Sequence, residues 1–488
     1  MDFPKLNETR LHDIRLNDTR LHDTKLHDFI ERTWEADVMP ALLQYMAIPC
    51  ESPAFDPDWA ANGHMDRAVD LLTGWAREKL NAVPEATVDT IRLPRRTPLV
   101  FIDVPGDMGA PVLIYGHLDK QPPMTGWAQG RGAWFPVIEG DRLYGRGGAD
   151  DGYAIFSAIT AILALREQRL DHPRCMILIE ACEESSSTDL PFYIEHLAPR
   201  IGNPALIIAL DAGCGNYDQL WMTTSLRGQV AGVLTVRVLR EGVHSGDASG
   251  MVPSSFRIAR QLLSRLEDPD SGDIIVPEFQ VDIPAERRAQ ASTAATALGA
   301  GLHEFPFPQG MRPVTSDLTE LALNRSWRPQ LAITGIDGLP SVANAAAVMH
   351  PVTALKLSLR LPPTLDPEAA GQRLQAMLEV NPPYGCEVSF HIDFASKGWH
   401  APPVAPWLET SLGEASRRAF GSSSALIGGG GGIPFLAMLG ERFPQAQFVV
   451  TGVLGPQSNA HGPNEFLHLP TAKRITTVVA HVLHDTCR

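Results

Sequence analysis

MILIEACEES, residues 176–185, is a short, continuous apolar run that stops at a pair of glutamates. Runs of this kind, bounded by turns, are strands buried on both faces of a mostly parallel α/β sheet. LIYGHLD (113–119) has the same build and ends on His117 and Asp119; ALIIALDAG (205–213) ends on Asp211. In an open α/β sheet, ligands gather beyond the carboxyl ends of the strands. Glu183, Glu184, His117, Asp119 and Asp211 are therefore expected along one rim. YGRGGADDG (144–152) adds Asp150 and Asp151, and SNAHGPNEF (458–466) adds His461. Any one of these polar residues alone would be an ordinary turn residue. Together they offer a full set of nitrogen and oxygen donors plus a spare carboxylate. Such donors without thiolates suit zinc, manganese or cobalt at a catalytic site rather than a structural zinc knuckle.

With 488 residues the chain exceeds what one hydrophobic core usually supports, and 44% apolar with 20% charged residues is an ordinary globular composition. The formal net charge of −15, with no basic cluster, argues against a nucleic-acid partner. Cysteines stand at 50, 175, 182, 214, 386 and 487 without a CxxC pair, as expected of reduced thiols. Cys182 and Cys214 lie near the acidic motifs but read as small buried hydrophobes. No stretch is read as reaching about 20 apolar residues, and the first residues lack the apolar region of a secretory signal. The expectation is a cytoplasmic enzyme with no membrane partner.

LNETR, LHDIR, LNDTR, LHDTK and LHDFI, from Leu6 to Ile30, repeat every five residues, a period that matches neither helix nor strand. Residues 1–34 are accordingly expected to be a poorly ordered extension, with the histidines at 12, 22 and 27 solvated. Helices and strands then alternate to Asp211, as in an α/β catalytic domain with a twisted central sheet flanked by helices. From residue 222 the pattern changes. GQVAGVLTVRVLR, TALKLSLRLPP and CEVSFHIDF read as strands, and FRIARQLLSRLED and EAAGQRLQAMLEV as helices. Four strands covered by two helices are expected: an inserted α+β lid or dimerisation domain. The expected division is 35–221 with 397–488 for the catalytic domain and 222–396 for the insertion. An insertion accounts economically for His461 joining donors that precede residue 212.

GHLD, YGRGGADDG, EACEES, LDAG, GVHSG and AHGPNEF, in this order, resemble the M20 family of dinuclear metallopeptidases, in particular its carnosinase-like dipeptidase branch. The resemblance implies two divalent metal ions, zinc (Zn2+) with manganese or cobalt as alternatives. It implies that Asp150 bridges them, that His117 and Asp211 complete one and that Glu184 and His461 complete the other. Glu183 is then the general base for a metal-bridging hydroxide. Adjacent glutamates suit that division, one carboxylate aimed at a metal and the other free to take a proton. Asp119 is expected to fix the His117 tautomer. The Asp150–Asp151 bond resembles a position where the family uses a cis peptide.

The same resemblance implies that His244 of GVHSG is supplied across a homodimer interface to stabilise the oxyanion. Asn344 of SVANAA and Arg360 of LKLSLR are implied to hold the substrate carboxylate, which an arginine fork suits. The implied reaction is hydrolysis of an amide bond in a dipeptide or similarly small peptide with a free carboxylate. Carnosinase-like relatives carry a glutamate and a serine or threonine where GGGGGIP places Gly429 and Gly432. Loss of that carboxylate keeps open an N-acyl-amino-acid amidohydrolase, and a catalytically silent metal- or peptide-binding homologue is a third reading.

Overall fold

The computed structural model describes residues 21–106, 108–303 and 305–488. Its principal strands begin with β1 (Thr87–Ile91), β2 (Leu99–Val104), β3 (Val112–His117), β4 (Cys175–Glu180), β5 (Leu206–Ala209) and β6 (Trp221–Leu226). They continue with β7 (Gly228–Arg237), β8 (Gln330–Asp337), β9 (Val352–Leu361), β10 (Glu387–Ser396), β11 (Ala425–Gly429) and β12 (Gln447–Val450).

A six-stranded sheet has the order β1-β2-β4-β3-β5-β12. β4, β3, β5 and β12 run parallel, and β1 and β2 add an antiparallel edge. Every residue of β3 and β4 is buried, as their continuous apolar character requires. Alternate side chains serve two cores. Val112, Ile114, Ile177 and Ile179 face the helices Tyr153–Glu167 and Leu469–Asp485; Leu113, Tyr115, Met176 and Leu178 face Leu190–Ile201 and Pro434–Arg442. Truncating one such buried aliphatic to alanine costs about 2–5 kcal/mol, so the rim that bears the polar residues rests on a stiff base. Gly148–Glu167, contrary to the reading of the sequence, is long and apolar enough to cross a membrane by length and composition, but 94% of its most apolar 18-residue window is buried inside the protein. It is a core helix.

The second sheet, β8-β9-β7-β10, is antiparallel throughout. Buried residues alternate along β9. Leu355, Leu357 and Leu359 pack with Val230 and Leu234 of β7 beneath the helices Ser255–Leu263 and Pro367–Glu379. The structure thus has the expected fold class: a central sheet flanked by helices, plus a smaller α+β unit. β8 escaped the sequence reading, as did the helices Ala285–Leu298 and Leu318–Ser326. These two helices pack on β11, which pairs in parallel with β6.

The expectation of a poorly ordered extension through residue 34 is corrected from residue 21 onward. A helix covers Asp23–Thr33 and continues as helical turns through Met46. It buries Leu26, Ile30, Trp34 and Val38, spaced four apart on one helical stripe. The five-residue repeat conceals this stripe, which starts only in its last unit. Trp34 Nε1 donates to Thr476 Oγ1 of the C-terminal helix at 3.2 Å. The repeat units before residue 21, with His12, lie outside the described residues.

Candidate metal centre

Because β3, β4 and β5 are parallel, their carboxyl ends share one rim. His117 is the last residue of β3, Glu183 and Glu184 form a turn after β4, and Asp211 follows β5. Asp150 comes from the turn before helix Tyr153–Glu167, where the Asp150–Asp151 peptide bond is cis. His461 arrives on the loop after β12 with a left-handed φ of 65°.

Two donor groups result, His117 with Asp150 and Asp211, and Asp150 with Glu184 and His461; within each, the ligand atoms lie within 4.8 Å of one another. His117 Nε2 is 3.1 Å from Asp150 Oδ1 and 3.9 Å from Asp211 Oδ2. His461 Nε2 is 3.1 Å from Asp150 Oδ2 and 3.5 Å from Glu184 Oε2. The two oxygens of Asp150 therefore face different groups. Burial and the charge of Asp150 push Glu184 up to about 8, and burial, partly opposed by His117, pushes Asp211 up to about 6. Burial, then Asp211, Glu184 and Asp150, raise Glu183 well above the usual carboxylate range. Glu184 Oε1 is buried without a hydrogen-bond partner. Crowded carboxylates and an orphaned oxygen are what divalent cations relieve. Among the described residues neither group includes a thiol, and all six cysteines are free. The residues fit two divalent metal ions.

Asp119 acts differently from expectation. The acceptor nearest His117 Nδ1 is its backbone carbonyl, at 3.0 Å, whereas its carboxylate oxygen is 3.6 Å away. That carboxylate accepts the backbone N–H of Glu183 at 3.1 Å and of Glu184 at 3.0 Å. It fixes the glutamate turn. Sequence reasoning missed three further supports. Gln121 Nε2 donates to Glu184 Oε2 at 2.6 Å. Arg146 forms a buried ion pair with Glu465 while donating to the carbonyls of His461 (3.0 Å) and Gly462 (3.2 Å). Glu465 also accepts from Gly147 N at 2.9 Å, so this pair ties the His461 loop to the Asp150 turn. Asp151 lies beneath, its Oδ2 accepting from His117 N at 3.3 Å.

A cleft of about 210 Å³ opens over the rim, and Glu183, Glu184, His461, Arg360, Arg227 and Gly432 are among the residues lining it. His244 and Asn344 do not line it. Both are exposed, on loops joined where Val243 and His244 pair with Met349 and Val348. Gly429 is also away from the cleft. It ends β11, and a Cβ there would stand 2.6 Å from Leu226 Cδ2. A side chain at Gly429 would therefore have to displace Leu226.

Hydrolysis assisted by two metal ions is the class of chemistry that this fold and these donor groups define. The model of peptidase family M20/M25/M40 matches residues 113–485; the chain belongs to that family and is an M20 metallopeptidase. It is 24% identical over 366 residues to the cysteinylglycine-S-conjugate dipeptidase of Corynebacterium striatum, covering 72% of this chain and 76% of the relative. To the human Beta-Ala-His dipeptidase it is 27% identical over 277 residues, 55% of this chain and about half, 53%, of the relative's length. The crystal structure of human carnosine dipeptidase 1 shares the fold, with a TM-score of 0.73 at 20% identity over 96% of this chain and 99% of the other.

Proposed function

We propose that the protein is a dipeptidase that hydrolyses the amide bond of dipeptides or similarly small peptides with a free C-terminal carboxylate. The observation that carries this reading is that Glu183, which belongs to neither donor group, and Arg360 line the same cleft. When bound, the two metal ions supply Lewis acidity and a nucleophile from water at neutral pH. His117, Asp150 and Asp211 would hold one ion and Asp150, Glu184 and His461 the other; the donors suit zinc, with manganese and cobalt as alternatives. Arg360 anchors the substrate carboxylate through its planar fork. Glu183 takes the proton released by the attacking water and passes it to the departing amine nitrogen. Asp119 keeps Glu183 aimed by holding its backbone N–H.

His244 and Asn344 complete the cleft of a second copy in this reading, with 222–396 serving as lid and dimerisation domain. Their exposure supports this, as does β8, an edge strand that exposes Ile333 and Ile336. Free thiols accord with a cytoplasmic setting. The N-acyl alternative is not favoured, since the relatives are named dipeptidases. The test is turnover of matched free and N-acetylated dipeptides before chelation, after chelation and after return of zinc, manganese or cobalt. Hydrolysis of free dipeptides that is lost and restored with metal is expected; cleavage of N-acetylated substrates alone would overturn the reading.

A further inference from the structure

The wall of the cleft opposite the metal centre is built from one row of the second sheet. Gln229 of β7 is the register partner of both Arg360 on β9 and Ser396 on β10, and all three line the cleft. Ser396 Oγ is buried with no hydrogen-bond partner. Just before β7, Arg227 also lines the cleft. Its Nε donates to Gly430 O at 3.2 Å and its Nη1 to Asn324 O at 3.0 Å, which fixes the guanidinium; among the described residues Nη2 has no hydrogen-bond partner. Arg325, exposed and outside the cleft lining, adjoins the same glycine run. A Cβ on Gly430 would lie 3.3 Å from Arg325 Cγ and 3.5 Å from Arg227 Nη2.

Among the described residues, none of these three guanidiniums pairs with a carboxylate. Burial and then the charges of Arg360 and Arg325 lower Arg227 to about 10; burial lowers Arg360 as well. All three remain cationic at neutral pH. Arg227 is buried, Arg360 half-buried and Arg325 exposed, and a buried cation without a counterion is costly unless an anion joins it. One substrate carboxylate satisfies one arginine fork, so this wall has capacity for a second. The glycine run leaves room for it, since a Cβ on Gly431 would meet nothing within 4 Å.

We propose that this wall is a second anion subsite, and that the preferred substrates are dipeptides whose C-terminal residue has an acidic side chain. Arg360 takes the α-carboxylate. Arg227 Nη2, backed by the charge of Arg325 and with the Ser396 hydroxyl nearby, takes the side-chain carboxylate. This assignment rests on the dipeptidase reading and narrows its substrate class.

The experiment compares kcat/KM for Ala-Glu and Ala-Gln, equal in size and different in charge, on the metal-loaded full chain. A preference for Ala-Glu of roughly 10- to 100-fold is expected, the worth of a charge-assisted hydrogen bond. Arg227→Lys and Arg325→Gln should each bring the ratio down about tenfold or more. Equal kcat/KM for the two peptides in the wild type would overturn the subsite while leaving the dipeptidase reading intact. Hydrolysis of neither peptide would count against the dipeptidase reading instead. Calorimetric binding of Ala-Glu and Ala-Gln to the same protein then decides the subsite, equal affinity overturning it.

Discussion

The carboxylate of Asp119 accepts the backbone N–H of Glu184 at 3.0 Å, and its other oxygen accepts that of Glu183 at 3.1 Å. One buried side chain thereby sets the direction of both glutamates, the proposed base and the proposed metal ligand. Asp119→Ala removes both acceptors and should lower kcat by about 10- to 100-fold, the usual cost of losing a supporting partner at a metal site. Asp119→Asn, which keeps one acceptor oxygen, should fall between. Steady-state kinetics on a free dipeptide at saturating metal checks the order.

Arg146 and Glu465 form a buried ion pair beneath the His461 loop. Removing one partner of such a pair costs about 3–5 kcal/mol because the other charge is left unpaired. Arg146→Met should therefore unfold at distinctly lower denaturant. It should also weaken the group that contains His461 more than the group that contains His117, giving a folded protein with one tightly held metal. Denaturant melts and metal counting on the same preparation test both parts.

Protons compete for the metal groups. Without metal, Glu184 is raised to about 8 by burial and Asp150. His461 is raised to about 9, since its bond to Asp150 and the charge of Glu184 outweigh burial. Each of these two groups shifts the other, so it is the pair as a whole that holds protons at neutral pH and must release them to bind a cation. Affinity should rise from pH 6 to pH 8 by roughly tenfold per unit for each proton displaced, and acid should release metal. Competition with a chelator at several pH values measures the slope.

His244 is exposed and away from the cleft of its own chain. If a second copy receives it, mixing His244→Ala chains with Glu183→Ala chains should restore part of the activity that both parents lack, since one hybrid site keeps both groups. Full wild-type activity from a strictly monomeric sample would contradict the shared site.

Much of the site was legible because its chemistry sits at chain punctuation: His117, Glu184 and Asp211 follow apolar runs, and Asp150 and His461 lie in glycine-containing loops. Arg146 and Glu465 were inside the same quoted motifs, yet a buried ion pair between residues more than 300 apart leaves no local pattern. Arg227 and Arg325 were missed for a similar reason, since only tertiary packing brings them to one glycine run. β8 was overlooked because Gly335 interrupts QLAITGID at a register shift between Ile333 and Gly335. The packing of Gly429 was hidden too, because a family motif gives sequence position, whereas the strand sets that residue against Leu226.

The central claim is that Glu183 moves a proton while its neighbour Glu184 holds metal, and the most direct test counts metal and turnover in Glu183→Gln and Glu184→Ala side by side. Glu183→Gln should keep two metal ions per chain and lose turnover by about 10²- to 10⁴-fold, whereas Glu184→Ala should lose metal as well. Equal metal loss in the two variants, or near-normal turnover by Glu183→Gln, would contradict the account.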